Sequence, residues 1–350
     1  MRIGLYGMPT AGKTYIMEQI DFIDVVTGSR LLREYAPDFD KRDEPGRKKA
    51  REAIAKLMQK RDNFIMDGHY AFGDETAFTE EDGEMYDVFL YLYIDPAILR
   101  TRMENSVKNQ KYLKHDISEW QKREMEGLRD YCHAHNKDFY ILDNPPANSF
   151  GDVAQIISFI KAIASGYSCA SFARRCANEI IRVSKSDTVV LLDGDKTITI
   201  EDSSNAVFGY KTHLYDGNFY TGFQVWKQNE EFKHYIFDEL KRMPVHLNEK
   251  VCGSLTDDSF ILTSGHEKIW RFISDKLTIP FFCGAEMSAE TKLYITKLLQ
   301  DAGKTVVAYG DGMNDYFMLK QADEGYLVKK QNGALSRSLA GRGTEGLVIV

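Results

Sequence analysis

Short apolar runs alternate with longer segments of helical spacing through the first 165 positions of the chain. Arg2–Tyr6, Phe22–Val26, Asn63–Met66, Asp87–Ile94 and Phe139–Leu142 are nearly continuous apolar stretches of strand length. Between and after them, the chain from Lys13 onward, Arg47–Lys60, Ala97–Asn105, Asp116–His135 and Val153–Ala164 carry apolar positions at helical spacing. Unbroken apolar strands separated by helices predict a parallel sheet covered on both faces. A further helix over Ser171–Val183 leads to a second alternation, with strands predicted at Thr188–Leu192, Phe260–Thr263 and Lys304–Tyr309. The pattern therefore predicts an α/β protein of two domains, each a mostly parallel sheet with helices on both faces. Residues 1–165 form the first, 166–185 a helical linker, and 186–350 the second. An insertion over about 200–258 interrupts the second domain; it is rich in aromatic residues (Phe208, Tyr210, Tyr215, Phe219, Tyr220, Phe223, Trp226) and has a helical stretch near Glu230–Arg242.

Composition narrows the class. At 350 residues, 43% hydrophobic and 28% charged, the chain is an ordinary globular mix long enough for two cores. Lys plus Arg is 45 against 52 Asp plus Glu, a net charge of −7, which argues against a protein that tracks long nucleic acid through an overall positive field. The five cysteines contain no CxxC pair and are odd in number, so a reducing compartment is expected rather than a disulfide framework or zinc site. The longest apolar runs fall far short of the ~20 residues that span a bilayer. The first motif starts within seven residues of Met1, leaving no room for a secretory signal. A cytoplasmic protein with no membrane partner is the expectation.

The first strand runs into Gly7-Met8-Pro9-Thr10-Ala11-Gly12-Lys13-Thr14, a gapless G-x-x-x-x-G-K-[ST]. Its glycines let backbone N–H groups turn inward on phosphate oxygens, and the following helix adds the positive end of its dipole. Lys13 is expected to reach the β and γ phosphates of ATP, and the Thr14 hydroxyl to bind Mg2+. Asp67 ends an apolar strand, where a carboxylate can hold a water on that Mg2+; a helix-capping or turn role is the plainer alternative.

Thr27-Gly28 followed by Leu31-Leu32-Arg33 resembles the acceptor-binding segment of adenylate-kinase-like P-loop kinases, which implies acceptor contacts from Thr27 and from Arg33 or Arg30. Asp67-Gly68-His69 is similar to the Asp-x-His of the atypical adenylate-kinase-like group, with no arginine where ordinary adenylate kinases bind AMP. His69 itself is either a polar residue satisfied under the loop or a direct participant. Arg100, Arg102, Lys108, Lys111 and Arg123 fall where this superfamily carries a cationic lid. Arg102 is the favoured ATP contact, because it follows the strand–Pro–helix pattern Ile94-Asp95-Pro96…Leu99.

The second alternation begins with Thr188–Leu192 and then Asp193-Gly194-Asp195-Lys196-Thr197. Two carboxylates two positions apart beyond a strand allow Asp193 to attack phosphorus while Asp195 serves the leaving oxygen as general acid and then base. Ser264 ends the next strand with a hydroxyl suited to a phosphate oxygen. Gly310-Asp311-Gly312-Met313-Asn314-Asp315 ends another with two hard oxygen donors, Asp311 and Asp315, for Mg2+. Lys292 lies on a helix upstream, where its charge can balance an aspartyl-phosphate.

These motifs, in this order, resemble the haloacid dehalogenase (HAD) superfamily of phosphohydrolases and its phosphoserine-phosphatase-like members, from about Thr188 onward. The resemblance implies Asp193 as nucleophile, Asp195 as acid and base, and phosphate contacts from Ser264 and Lys292. It further implies Mg2+ on Asp193, Asp311 and the main-chain carbonyl of Asp195. The aromatic insertion falls where that superfamily places a substrate-selecting cap, with Tyr220, Gln224 and Trp226 as candidate substrate contacts.

Together the two halves predict a bifunctional phosphoryl-transfer enzyme. The expected activities are an ATP-dependent kinase of a small nucleotide-like or sugar-like acceptor and a Mg2+-dependent phosphatase of a small phosphorylated metabolite or nucleotide. Two other readings share these motifs. One is a 5′-kinase/3′-phosphatase acting on nucleic-acid ends, and the other an ATP-sensing domain that regulates the phosphatase.

Overall fold

The computed structural model describes residues 1–143, 153–208, 219–234 and 245–350. Tyr210, Tyr215 and most of the expected helical stretch Glu230–Arg242 lie outside the described residues. The chain divides into two compact units, Met1–Tyr167 and Ser168–Val350.

In the first unit the strands are β1 (Arg2–Tyr6), β2 (Asp24–Val26), β3 (Phe64–Asp67), the hairpin β4 (Ala71–Phe72) and β5 (Glu75–Thr76), β6 (Val88–Tyr93) and β7 (Asp138–Asp143). Five of them make a parallel sheet in the order β2-β3-β1-β6-β7. The register pairs Leu5 with Asp67 and with Leu90, so the residues following β1, β2, β3 and β6 gather at one edge. Both sheet faces are buried: Ile3, Leu5, Phe64, Ile65, Phe89 and Leu90 are all solvent-inaccessible, which is why these strands read as continuous apolar runs. The flanking helices start where the sequence supplies caps. Asp43 accepts from Gly46 N ahead of Glu44–Met58, Asp95 from Ala97 N with Pro96 at the first helical position, and Asp116 from Glu119 N ahead of Ile117–His135. The helix after the glycine-rich loop is short, Lys13–Met17.

The second unit has strands β8 (Thr188–Asp193), β9 (Ser259–Thr263), β10 (Phe281–Cys283), β11 (Thr305–Gly310), β12 (Glu324–Leu327) and β13 (Val348–Ile349), all parallel in the order β10-β9-β8-β11-β12-β13. Along β8, Val189 and Leu191 enter a core shared with the helices Cys169–Val183 and Ala289–Asp301, whereas Val190 and Leu192 enter the opposite core around Ile269, Trp270 and Ile273. A strand buried alternately on two faces carries a helical layer on each. The segment expected as a linker is not one. Ala173, Cys176, Ala177 and Ile180 form an apolar stripe at helical spacing, and it buries the helix Cys169–Val183 in the second unit's core. The boundary accordingly falls between Tyr167 and Ser168. Of the insertion, the helices Ser203–Phe208, Gly222–Phe232 and Glu249–Cys252 are described. Among the described residues no single helix is long and apolar enough to cross a membrane.

Candidate active sites

The first site forms at the sheet edge where β1 meets its loop. Gly7 has φ +150°, and a Cβ there would stand 2.9 Å from the Leu92 carbonyl oxygen, so only glycine lets the loop pass β6 this closely. Thr10 (φ 68°) and Gly12 (φ 99°) complete the turn. Lys13 is 6% exposed and folds back over its own loop, its Nζ donating to Gly7 O at 2.5 Å and Met8 O at 3.3 Å. Burial lowers its pKa to about 8, opposed by the charges of Glu124 and Asp67. Arg102 donates from Nη1 to Thr10 O at 3.1 Å, bracing the loop through its backbone.

A cleft of about 970 Å3 opens over this loop and takes in Met8 to Thr14, Asp67, His69, Arg33, Lys108 and Lys111 among its walls. Asp67 Oδ1 accepts from Gly28 N at 2.7 Å, so this carboxylate anchors the start of the helix Gly28–Tyr35 that Thr27 precedes, while lining the cleft itself. Arg33 sits on that helix, 3.7 Å from Asp40. Of the expected cationic lid, Lys108 and Lys111 line the cleft, Arg100 is exposed, and Arg123 donates to Gly73 O and lies 3.8 Å from Asp74. Arg102 is not among the cleft-lining residues. His69 is half-buried in the cleft wall with its Nδ1 3.5 Å from Lys13 Nζ, and desolvation pushes its pKa well below the ordinary value. An inward-curled loop, a buried lysine and an exposed Thr14 beside Asp67 suit a nucleotide phosphate and its Mg2+.

Glu124 carries no motif, and sequence reasoning passes over it. It is fully buried, accepting from Tyr91 Oη (2.7 Å), Ala71 N (3.1 Å) and Trp120 Nε1 (3.1 Å). The one signal for it is its position at a core spacing of the helix Ile117–His135. Desolvation outweighs the three hydrogen bonds and raises its pKa from 4.5 to about 7. The folded state therefore holds a proton that the unfolded state has lost between those two values. Stability falls as pH rises through that window, by up to about 3 kcal/mol from this group. Urea denaturation of the wild type and Glu124→Gln from pH 4.5 to 7.5 checks this: the slope assigned to Glu124 should vanish in the variant.

The second site sits at the carboxyl ends of β8, β9 and β11. Lys292, wholly buried on the helix Ala289–Asp301, places Nζ 2.6 Å from Asp193 Oδ1 and 2.7 Å from Asp315 Oδ1. Asp193 Oδ2 accepts from the Thr197 hydroxyl at 3.2 Å. Asp315 Oδ2 accepts from the backbone N–H groups of Asp311 and Gly312. A Cβ on Gly310 would lie 2.4 Å from that of Asp315, so glycine is needed for this approach. Ligand oxygens of Asp193, Asp311 and Asp315 all lie within 4.8 Å of one another. Three carboxylates share one buried lysine cation, and burial with mutual repulsion raises Asp311 to about 7 and Asp193 well above the carboxylate range. Such an excess of negative charge is what a divalent cation neutralises, and the donor set is all hard oxygen, so the residues fit Mg2+.

The Asp195 carboxylate is not part of this cluster. Its Oδ1 accepts from Ser203 N at 2.6 Å, and burial raises its pKa to about 6. Ser264 accepts from Asn314 Nδ2 at 3.2 Å. Asn314 and Thr197 stand inside the motifs without a role that the sequence assigns, and the structure puts both on reacting-site side chains. Trp270 closes the floor: a Cβ on Gly194 would meet its ring at 2.4 Å. Gln224 is buried and caps its own helix by accepting from Thr221 through Oε1.

Removing Lys292 leaves two buried carboxylates without their cation. Lys292→Met should cost about 3–5 kcal/mol of stability in metal-free buffer, read by urea denaturation, with part of the loss recovered on adding Mg2+.

No protein-family model matches the sequence, and no curated protein does. Solved structures similar in part include shikimate kinase from Acinetobacter baumannii (15% identity, 46% of this chain and 93% of that one, TM-score 0.34). Another is a HAD family hydrolase from Salmonella enterica serovar Typhi (14% identity, 51% of this chain and 76% of that one, TM-score 0.30). The catalytic domain of the CPx-ATPase CopB-B also matches (19% identity, 48% and 85%, TM-score 0.26). The sheet orders and motif positions described above define the two units as a P-loop kinase-like fold and a HAD hydrolase-like fold.

Proposed function

We propose that the chain is a bifunctional phosphoryl-transfer enzyme: an ATP-dependent kinase of a small nucleotide-like or sugar-like acceptor, and a Mg2+-dependent phosphomonoesterase. The observation that carries this reading is the buried lysine bridge, with Lys292 Nζ within 2.7 Å of both Asp193 and Asp315 beside a protonatable Asp195.

In the phosphatase half, Asp193 Oδ2 attacks the phosphorus of a phosphomonoester and the bond from phosphorus to the ester oxygen breaks. Asp195 gives its proton to that oxygen, and the alcohol leaves. Water then attacks the aspartyl-phosphate, losing a proton to Asp195; phosphate departs and Asp193 is restored. Lys292 holds Asp193 in place and offsets its charge, while Ser264 and Asn314 bind phosphoryl oxygens. Asp193, Asp311, Asp315 and the Asp195 carbonyl would hold Mg2+, which supplies further charge neutralisation at the phosphoryl group.

In the kinase half, the loop from Gly7 to Thr14 cradles the ATP phosphates. Lys13 exchanges its carbonyl partners for the β and γ phosphates, and Arg102 keeps the loop in shape. Thr14 and Asp67 would hold the nucleotide's Mg2+, and Arg33 in the cleft wall, with Thr27 at the start of its helix, would contact the acceptor.

Acid quenching during turnover of a 32P-labelled phosphomonoester tests the covalent route. Label should be recovered on the peptide containing Asp193, and EDTA should abolish both its formation and phosphate release. Turnover that persists in EDTA with no labelled peptide would overturn the phosphatase assignment.

A further inference from the structure

One buried side chain lies against two of the turns that build the second site. Trp270 stands on the helix Glu267–Leu277, wholly buried in the core that holds Ile261, Ile269 and Ile273. At Gly194, between Asp193 and Asp195, a Cβ would lie 2.4 Å from Cζ2 and 2.7 Å from Cη2 of its ring. At Gly265, directly after Ser264, a Cβ would lie 2.3 Å from Nε1 and 2.7 Å from Cδ1. The benzene edge of a single indole is thus pressed on the turn of the nucleophile and the acid, and its pyrrole edge on the turn of the phosphate-binding hydroxyl. Neither glycine has a positive φ. No backbone conformation calls for glycine at either place; the indole does.

Asp195 meets the same corner. The Cβ position of Gly265 is 2.9 Å from Asp195 Oδ2, so this oxygen and the pyrrole edge flank one α-carbon. The other oxygen, Oδ1, is fixed by Ser203 N–H at 2.6 Å, which leaves Oδ2 to carry the proton of the acid. Trp270 Nε1 has no hydrogen-bond partner among the described residues. A phenylalanine would fill much of this space without burying an unmet donor, a cost that native interiors seldom carry. The full width of the indole is what reaches from one turn to the other.

We propose that Trp270 is a positioning residue of the phosphatase site: its indole sets the Asp195 turn against the Ser264 turn, so that Asp195 Oδ2 stands at the leaving oxygen while the phosphoryl group is held. This rests on the reading of the second unit as a phosphatase. Trp270, wholly buried, acts through Asp195 and the two glycines and does not itself meet the substrate. Its contribution therefore depends on how far the leaving group needs a proton. A p-nitrophenolate departs readily as the anion, whereas an alkoxide has to be protonated as its bond to phosphorus breaks.

The test compares wild type with Trp270→Phe on p-nitrophenyl phosphate and on glycerol 2-phosphate through kcat/KM, which covers the steps up to departure of the leaving group. The loss on glycerol 2-phosphate should exceed the loss on p-nitrophenyl phosphate by at least about tenfold, because only the former needs the acid in place. A merely structural role lowers both alike, so equal losses, or none, would overturn the proposal. A second measurement needs no turnover: indole N–H spectra of 15N-tryptophan protein. The chain has three tryptophans, and Trp120→Phe and Trp226→Phe identify the signals of the other two. Asp195→Asn should shift the Trp270 signal and leave that of Trp120, which donates to Glu124 in the first unit, in place. If Trp270→Phe does not fold, this spectrum decides: a shifted Trp270 signal supports the proposal and an unmoved one rejects it. If the wild type hydrolyses no phosphomonoester, the phosphatase reading fails; the shift still supports the coupling of Trp270 to Asp195, and its absence rejects that as well.

Discussion

Asp193→Asn should lower phosphomonoester hydrolysis by at least ~10³-fold, because an amide of the same shape cannot form the acyl phosphate. The change is nearly isosteric, and Lys292 keeps Asp315 as a partner 2.7 Å away. The substitution also removes one of three mutually repelling carboxylates, at a position where burial already disfavours the charged form. The fold should therefore survive, with thermal unfolding no lower than in the wild type, and ATP-dependent transfer by the other unit should continue. Phosphate release assays on metal-saturated protein measure the effect. A variant that kept most of its rate would move the nucleophile elsewhere, and one that unfolded would show that Asp193 serves the fold first.

Lys13→Ala should abolish transfer from ATP by at least about 10²-fold, since the one cation buried inside the loop is lost from the phosphoryl path. Lys13 is bonded to Gly7 O and Met8 O, both contacts within its own loop. Truncation frees two carbonyls at the cleft, where water can reach them, so the unit should remain folded. Hydrolysis at Asp193 belongs to a separate compact unit and should stay within about twofold of wild type. Transfer of γ-label from ATP, measured beside phosphatase rate on the same preparations, reports both numbers. Equal loss of the two activities would contradict independent sites.

Much of this architecture was legible because parallel strands buried on both faces leave unbroken apolar runs. β6 and β8 are read directly from the apolar runs Asp87–Ile94 and Thr188–Leu192, within one residue of each observed end. The short edge strands β10 and β13 and the two-residue hairpin strands β4 and β5 have no such signature, since two or three residues hold no period. The helix Cys169–Val183 was legible as a helix, but its allegiance was not; only the partner helix Ala289–Asp301 reveals that its stripe is core. At the candidate sites, residues that one short turn holds together were written in the motifs: Gly7, Gly12, Asp193, Asp195, Asp311 and Asp315. Lys292 had to be chosen among neighbouring lysines, and its 0% exposure between two aspartates marks it out. Glu124 left only its core spacing on a helix as a signal, because its hydrogen-bond partners come from distant segments.

Two working phosphoryl-transfer sites on one chain are tested most directly by a paired assay of wild type, Lys13→Ala and Asp193→Asn. Each would be incubated with γ-labelled ATP, Mg2+ and a panel of nucleosides, nucleotides, sugars and oligonucleotide ends, resolving labelled products and free phosphate together. Label on a small acceptor should disappear only with Lys13→Ala, and phosphomonoester hydrolysis only with Asp193→Asn. Label appearing on no acceptor, with ATP instead changing the phosphatase rate, would rule out a working kinase site and make the first unit a nucleotide sensor.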